Sequence, residues 1–152
     1  LRSDVIRKQI TGLRKGAHAY SSFGEGIYTP DLTSRIYRLM LDAAIDHGAK
    51  GKKVVVDATY LKANQRRDFY ETCIAKGLNP FFINCFARED VLKDRIRKRM
   101  ETGTDASDAD IGILEHQLRH LEEPEELPSY RILAINTEDA IHNIIYALKE
   151  FL

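Results

Sequence analysis

Lys52-Lys53-Val54-Val55-Val56-Asp57-Ala58-Thr59-Tyr60-Leu61-Lys62-Ala63-Asn64-Gln65-Arg66-Arg67 is the stretch on which the fold turns. Two lysines lead into three valines, and the apolar run ends on an aspartate. A continuous apolar run bounded by charge predicts a strand over residues 54–57, buried on both faces. Strands of that kind belong to parallel sheets covered by helices, and ligands sit at their carboxyl ends. Asp57 is therefore expected at a crevice. A carboxylate there must be paired, hydrated or bound to a cation, because burying it bare is too costly. Two readings stay open: a plain strand-end aspartate, or an acid holding the water shell of Mg²⁺ beside a nucleotide phosphate.

Upstream, Thr29-Pro30-Asp31 predicts a helix start, with Thr as N-cap, Pro at N1 and an acid in the first turn. Ile36, Leu39, Met40, Ala43 and Ala44 form its apolar stripe, and Gly48 is expected to stop it. Nearer the beginning, Asp4 is expected to cap a helix from Val5 to about Leu13, with Val5, Ile6, Ile10 and Leu13 inward. Residues 16–29 have no period and read as an exposed loop of functional length.

Downstream, Asn64 or Gln65 begins a helix that turns Phe69, Cys73 and Ile74 inward and ends at Gly77. Residues 80–86 read as the next buried strand, 88–101 as a very basic helix, and 102–105 as a break. Ser107-Asp108-Ala109-Asp110 resembles a capping box ahead of a helix carrying Ile111, Leu114, Leu118 and Leu121. An acidic loop, a strand from Tyr130 to Ile135, and a helix over 138–152 with Ile141, Ile144, Ile145 and Leu148 inward complete the chain. The alternation predicts a three-layer α/β domain with a mainly parallel sheet, one domain over residues 1–152.

Lys+Arg and Asp+Glu are equal at 23 each. No global field draws in nucleic acid or anionic membrane, so any phosphate recognition must be local. No apolar run is long enough to span a bilayer, and no signal peptide is visible. Cys73 and Cys85 read as reduced, buried thiols, which suits a cytoplasmic protein. The chain opens on Leu1 without a methionine, from which either the numbering is expected to begin inside a longer protein or a segment to have been removed.

Four clusters carry candidate chemistry. Arg2, Ser3, Asp4 and Arg7 open the first helix; an acid beside an arginine can take a hydroxyl proton while the arginine steers an anion, or the two can form a plain i,i+3 pair. Asp57 and Thr59 are followed by Asn64, Arg66 and Arg67. Arg95 and Arg99 lie four apart on the basic helix, where like charges repel unless an anion neutralises them; a solvated basic face is the alternative. The break after this helix suits a lid over residues 95–110. Asn136-Thr137, after the last strand, could meet a nucleobase. His116 and His120, with Glu115, have the wrong order for a zinc motif and read as a solvated helix face. Tyr20, Phe23, Tyr28 and Tyr37 read as lid packing or as stacking residues.

Taken together, these clusters resemble the small P-loop kinase-like proteins of the gluconate-kinase, polynucleotide-kinase and zeta-toxin group, and above all ATP-binding relatives fused to an aminoglycoside-phosphotransferase-like domain. The wording runs in the same order: Arg2-Ser3-Asp4-Val5-Ile6-Arg7-Lys8, Tyr28-Thr29-Pro30, Val55-Val56-Asp57-Ala58-Thr59, Leu92 with Arg95 and Arg99, and Asp105-Ala106-Ser107-Asp108-Ala109. The resemblance implies that Asp4 is the base for an acceptor hydroxyl and that Arg7 contacts phosphate or substrate, beside Arg2 and Ser3. It implies that Asp57 is the Walker B acid acting through Mg²⁺, that Arg95 and Arg99 are lid arginines on ATP, and that Thr59, Arg66 and Arg67 border the acceptor. Asn136 and Thr137 would then meet the nucleotide base.

One part of that pattern is not in the sequence. Gly51-Lys52 is followed by Lys53, and Gly24-Glu25-Gly26 lacks a lysine, so neither is a Gly-x-x-x-x-Gly-Lys-Ser/Thr loop. The expected fold is thus a P-loop NTPase-like parallel sheet without its first βαβ portion, with exposed sheet edges open to self-association. The expected function is ATP- and Mg²⁺-dependent phosphotransfer to a small hydroxyl-bearing acceptor, silent in this form, with an associated phosphotransferase-like domain as a partner. The alternatives are a non-catalytic interaction module and a polynucleotide 5′-hydroxyl kinase; zero net charge weighs against the second.

Overall fold

The computed structural model of the chain describes residues 1–13, 29–103, 107 and 109–152. The 16–29 loop therefore lies almost wholly outside the described residues, as do Tyr20, Phe23, Tyr28 and most of the break between residues 103 and 109.

Helix α1 (Ser3–Ile10) begins from Arg2 as N-cap, so Asp4 sits in its first turn and does not cap it. Its fully buried residues are Arg7 and Lys8, where the sequence pattern favoured Val5 and Ile6. Helix α2 (Pro30–Ala49) starts as expected: the Thr29 hydroxyl accepts from the Leu32 N–H, and Pro30 occupies the first turn. Ile36, Met40 and Ala44, spaced every fourth residue, are its buried stripe, while Leu39 is exposed. The helix runs through Gly48 and ends just before Gly51, which has φ 73°. Gly48 lies within the helix, and a Cβ there would meet the Leu78 side chain at 2.9 Å, so the position suits glycine.

Residues 54–57 depart most from expectation. They are extended but do not form a strand element, and Val55 is 78% exposed. The reason lies in their backbone. Leu1 N donates to Val55 O at 2.7 Å, Asp57 N to Leu1 O at 2.8 Å, and Ser3 N to Asp57 O at 2.9 Å, closing a parallel bridge between Arg2 and Asp57. These bonds all fall on one side. In an extended chain the peptides of Val54 and Val56 face the opposite side, where no described residue pairs with them. A single isolated bridge of this kind does not extend into a strand.

Helix α3 (Ala63–Ala75) follows, closed by Gly77 at φ 74° and with Cys73 buried. Strand β1 (Phe82–Phe86) leads into α4 (Glu89–Thr102), which ends on left-handed Gly103, and α5 (Ile111–His120) is capped by the Asp110 carboxylate on the Ile113 N–H. A 3-10 turn (Ser129–Arg131) precedes β2 (Ile132–Asn136), and α6 (Ile141–Phe151) closes the chain. β1 and β2 are parallel, in register from Phe82 against Ile132 to Phe86 against Asn136. β1 is paired on one edge alone among the described residues, and Ile83, Cys85 and Phe86 are exposed where a buried strand was expected.

With so narrow a sheet, the core is distributed. Ile113 packs against Leu13, Leu32 and Ala109, drawing together the ends of α1, α2 and α5. Leu118, Leu121, Ile141 and Ile145, all expected inward, are exposed, and α6 buries no residue fully because two strands give it little floor. No helix among the described residues is long and apolar enough to cross a membrane.

Candidate active site

The Arg2–Asp57 bridge puts the opening of α1 beside the end of the 54–57 segment. Arg2 Nε donates to Asp57 Oδ2 at 3.1 Å, and both side chains stay largely open to solvent. Asp4 stands next to this pair. Burial pushes its carboxyl above the usual carboxylate range, and the Asp57 charge adds to that; a hydrogen bond from Ser107 and the guanidinium groups of Arg7 and Arg2 pull it back. Burial wins. Arg7, itself buried, donates through Nη1 to Thr33 Oγ1 at 3.3 Å on α2. Four residues singled out from the sequence, Arg2, Asp4, Arg7 and Asp57, thus form one group.

The break after α4 reaches the same group. Ser107 bonds Asp4, and two residues on, the Ala109 carbonyl accepts from Arg99 Nη2 at 2.7 Å. Ser107 was legible in the sequence only as part of a cap; its contact with Asp4 crosses a hundred residues and leaves no local signal.

Arg95 lies elsewhere along α4, at the carboxyl end of the sheet. Its Nη1 donates to Thr137 Oγ1 at 2.6 Å and its Nη2 to the Thr137 carbonyl at 2.8 Å. Thr137 is in turn anchored to the end of β1, with N–H and hydroxyl both donating to the Phe86 carbonyl. Beside it, Asn136 Oδ1 accepts from the Glu138 N–H. Arg95 and Arg99 therefore answer to neutral oxygens. Their neighbours are paired: Lys93 with Glu89 and Glu115, Arg97 with Asp94. His116 and His120 stack at 3.9 Å on α5, and no group of three His, Cys, Asp or Glu among the described residues could hold a metal ion.

The remaining sites divide. Thr59 Oγ1 lies 3.0 Å from the Tyr37 hydroxyl, within hydrogen-bond reach, and the Tyr60 N–H donates to the same hydroxyl. Arg67 is exposed at the start of α3. Arg66 is buried and clamped on Glu126, Glu123 and Tyr60, so its side chain is committed to holding the 122–127 segment and does not line an open acceptor site. Sequence reading could not find this, because Glu126 is sixty residues away in a loop of several acids.

Parallel pairing with helices between the strands, together with the family match, makes this a P-loop kinase-like α/β protein. The chain belongs to the AAA domain family, which matches residues 1–124. A solved structure, of a presumptive kinase from Chloroflexus aurantiacus J-10-fl, shares the fold with a TM-score of 0.63 at 16% identity, over 100% of this chain and 83% of that one. No curated protein matches the chain.

Proposed function

We propose that this chain is the acceptor-binding and lid part of an ATP-dependent phosphotransferase acting on a small hydroxyl-bearing molecule in the cytoplasm. The observation that carries the reading is the grouping of Asp4, Arg7, Arg2 and Asp57 around the Arg2–Asp57 bridge, with the Asp4 carboxyl raised by burial. A base works best when its pKa approaches the working pH, and the shift of Asp4 is in that direction. Arg7 and Arg2 are the cations beside it, suited to an anionic phosphoryl group. Asp57 is an open carboxylate able to hold a hydrated cation, and Mg²⁺ bound with ATP would supply charge neutralisation of the phosphates there. Arg95 and Arg99, hydrogen-bonded to neutral oxygens, are the lid residues able to exchange these for phosphate.

The backbone cradle for phosphate and the Mg²⁺ hydroxyl are not among these 152 residues. On this reading they come from a segment outside them, which would also pair with the unmatched edges of β1 and of residues 54–57. Phosphotransfer by the 152 residues alone is then expected to be negligible. Calorimetric titration of Mg·ATP into this chain and into one extended ahead of Leu1 tests the proposal. Binding by the extended form alone, weakened by Asp57→Ala, supports it. Absence of binding by both refutes it and favours a non-catalytic interaction module.

A further inference from the structure

Helices α2 and α3 diverge around an open groove of about 670 Å³. That is the size of a small-molecule site, roughly 300–1,000 Å³. Residues 34, 38 and 42 recur every fourth position along α2, and residues 64, 68 and 72 do so along α3. Each helix therefore turns one polar ridge toward the other. The floor between them is aromatic: Tyr60 stacks on Tyr37 at 4.5 Å and meets Phe69 edge-on at 5.6 Å.

Three features distinguish this groove from an ordinary crease between helices. Tyr60 is the one non-glycine residue with positive φ among those described, at 42°. Such a backbone costs on the order of 1–3 kcal/mol and persists only where the surroundings hold it. The Tyr60 hydroxyl is buried without a hydrogen-bond partner among the described residues, a further cost of about 1–3 kcal/mol. Burial, together with the charges of Tyr37, Cys73 and Asp68, pushes its phenol well above the ordinary value, so it stays a neutral donor. Finally, the carboxylates of Asp42 and Asp68 have no ion-pair partner among the described residues, and Arg38 is the groove's one guanidinium.

These features select the occupant. An apolar ligand would strand the ridges of hydroxyl, amide and carboxylate groups. A flat base would have to compete for the Tyr60 ring with Tyr37, which stacks on it, and with Phe69, which meets it edge-to-face. An anion would meet two carboxylates and one arginine. A molecule with several hydroxyls matches Ser34, Asn64, Gln65 and Thr72. A positive group answers the surplus negative charge. We propose that the groove between α2 and α3 binds a small polyhydroxylated amine, its ammonium group held by the groove's carboxylates and its hydroxyls by the polar ridges.

The Tyr37 hydroxyl links the groove floor to Thr59, two residues past Asp57. On the phosphotransferase reading, on which this assignment rests, the occupant is the phosphoryl acceptor. The test is made without nucleotide, so that its failure is distinguishable from failure of the Mg·ATP titration. Glucosamine, glucose and gluconate serve as probes, each titrated into the chain and followed by calorimetry and by backbone amide shifts. Expected is saturable glucosamine binding in the millimolar range, with shifts confined to α2, α3 and Tyr60. Glucose should bind more weakly and gluconate most weakly. Asp68→Asn, an exposed and nearly isosteric change, should weaken glucosamine by about tenfold. The proposal is overturned if no probe saturates, if gluconate binds tightest, or if Asp68→Asn and Asp42→Asn both bind like the parent.

Discussion

Arg66 and Glu126 close a two-pronged fork inside the protein: Nε donates to Oε1 at 2.6 Å and Nη2 to Oε2 at 2.9 Å, with the side chains 6% and 4% exposed. The same guanidinium donates to the carbonyls of Tyr60 and Glu123. One side chain thus pins the acidic segment after α5 to the strained peptide at Tyr60. This clamp explains how a tyrosine holds positive φ beside an open groove.

Removing one partner of a buried pair leaves the other charge uncompensated. Arg66→Met should therefore cost about 3–5 kcal/mol in urea unfolding. The hydrogen bond from Arg66 holds the Glu126 carboxyl below its usual range. A lowered folded value contributes stability that is present above the ordinary carboxylate value of about 4.3 and is lost as pH falls through the lowered one. The Arg66→Met protein should lack this acid-side loss; an unchanged acid limb would show that the fork is not its source.

Asp4 has the opposite sign. Burial raises its folded value, so its contribution is full below the ordinary carboxylate value and is lost as pH rises through the raised one. Asp4→Asn should raise the thermal midpoint at neutral pH. In a protein that carries a phosphate-binding loop, it should also cut phosphotransfer by about 10²–10⁴-fold. Full turnover in that variant would remove Asp4 from the chemistry.

Arg95→Ala breaks two bonds to Thr137, but Thr137 keeps its own bonds to Phe86. Stability should change by less than about 1.5 kcal/mol. Mg·ATP affinity of the extended protein should fall by about tenfold or more, because a charged donor to phosphate is lost. Equal loss of both would mark Arg95 as a structural strut.

Tyr60→Phe deletes a buried hydroxyl that has no partner among the described residues. Chemical unfolding should show a gain of about 1 kcal/mol, since nothing is broken and a desolvated group is relieved. A loss would mean that the hydroxyl is satisfied in solution.

Much of the architecture could be read from one dimension because its signals are local. Thr29-Pro30-Asp31 dictates the start of α2, the fourfold spacing of Ile36, Met40 and Ala44 sets its buried face, and Gly77 and Gly103 end α3 and α4 where only glycine adopts the backbone easily. The parallel pairing of β1 with β2 followed from the helices between them. Arg2, Asp4, Arg7 and Asp57 were each legible as candidates by residue type, but the bridge that brings Asp57 to the start of α1 is a tertiary contact.

Tertiary structure decided the rest. A run of three valines has high strand propensity, yet residues 54–57 make no strand element because a strand is a property of the pair, and among the described residues their pairing is a single isolated bridge from Asp57 to Arg2. The same shortage leaves the apolar stripes of β1 and α6 uncovered, since periodicity marks a face but not what lies against it. Arg66 and Glu126, Ser107 and Asp4, and Arg95 and Thr137 meet across tens of residues, and no spacing rule encodes such contacts. Side-chain type and local rhythm were written in the chain; which charges are buried together, and which peptide is held under strain, came only with the fold.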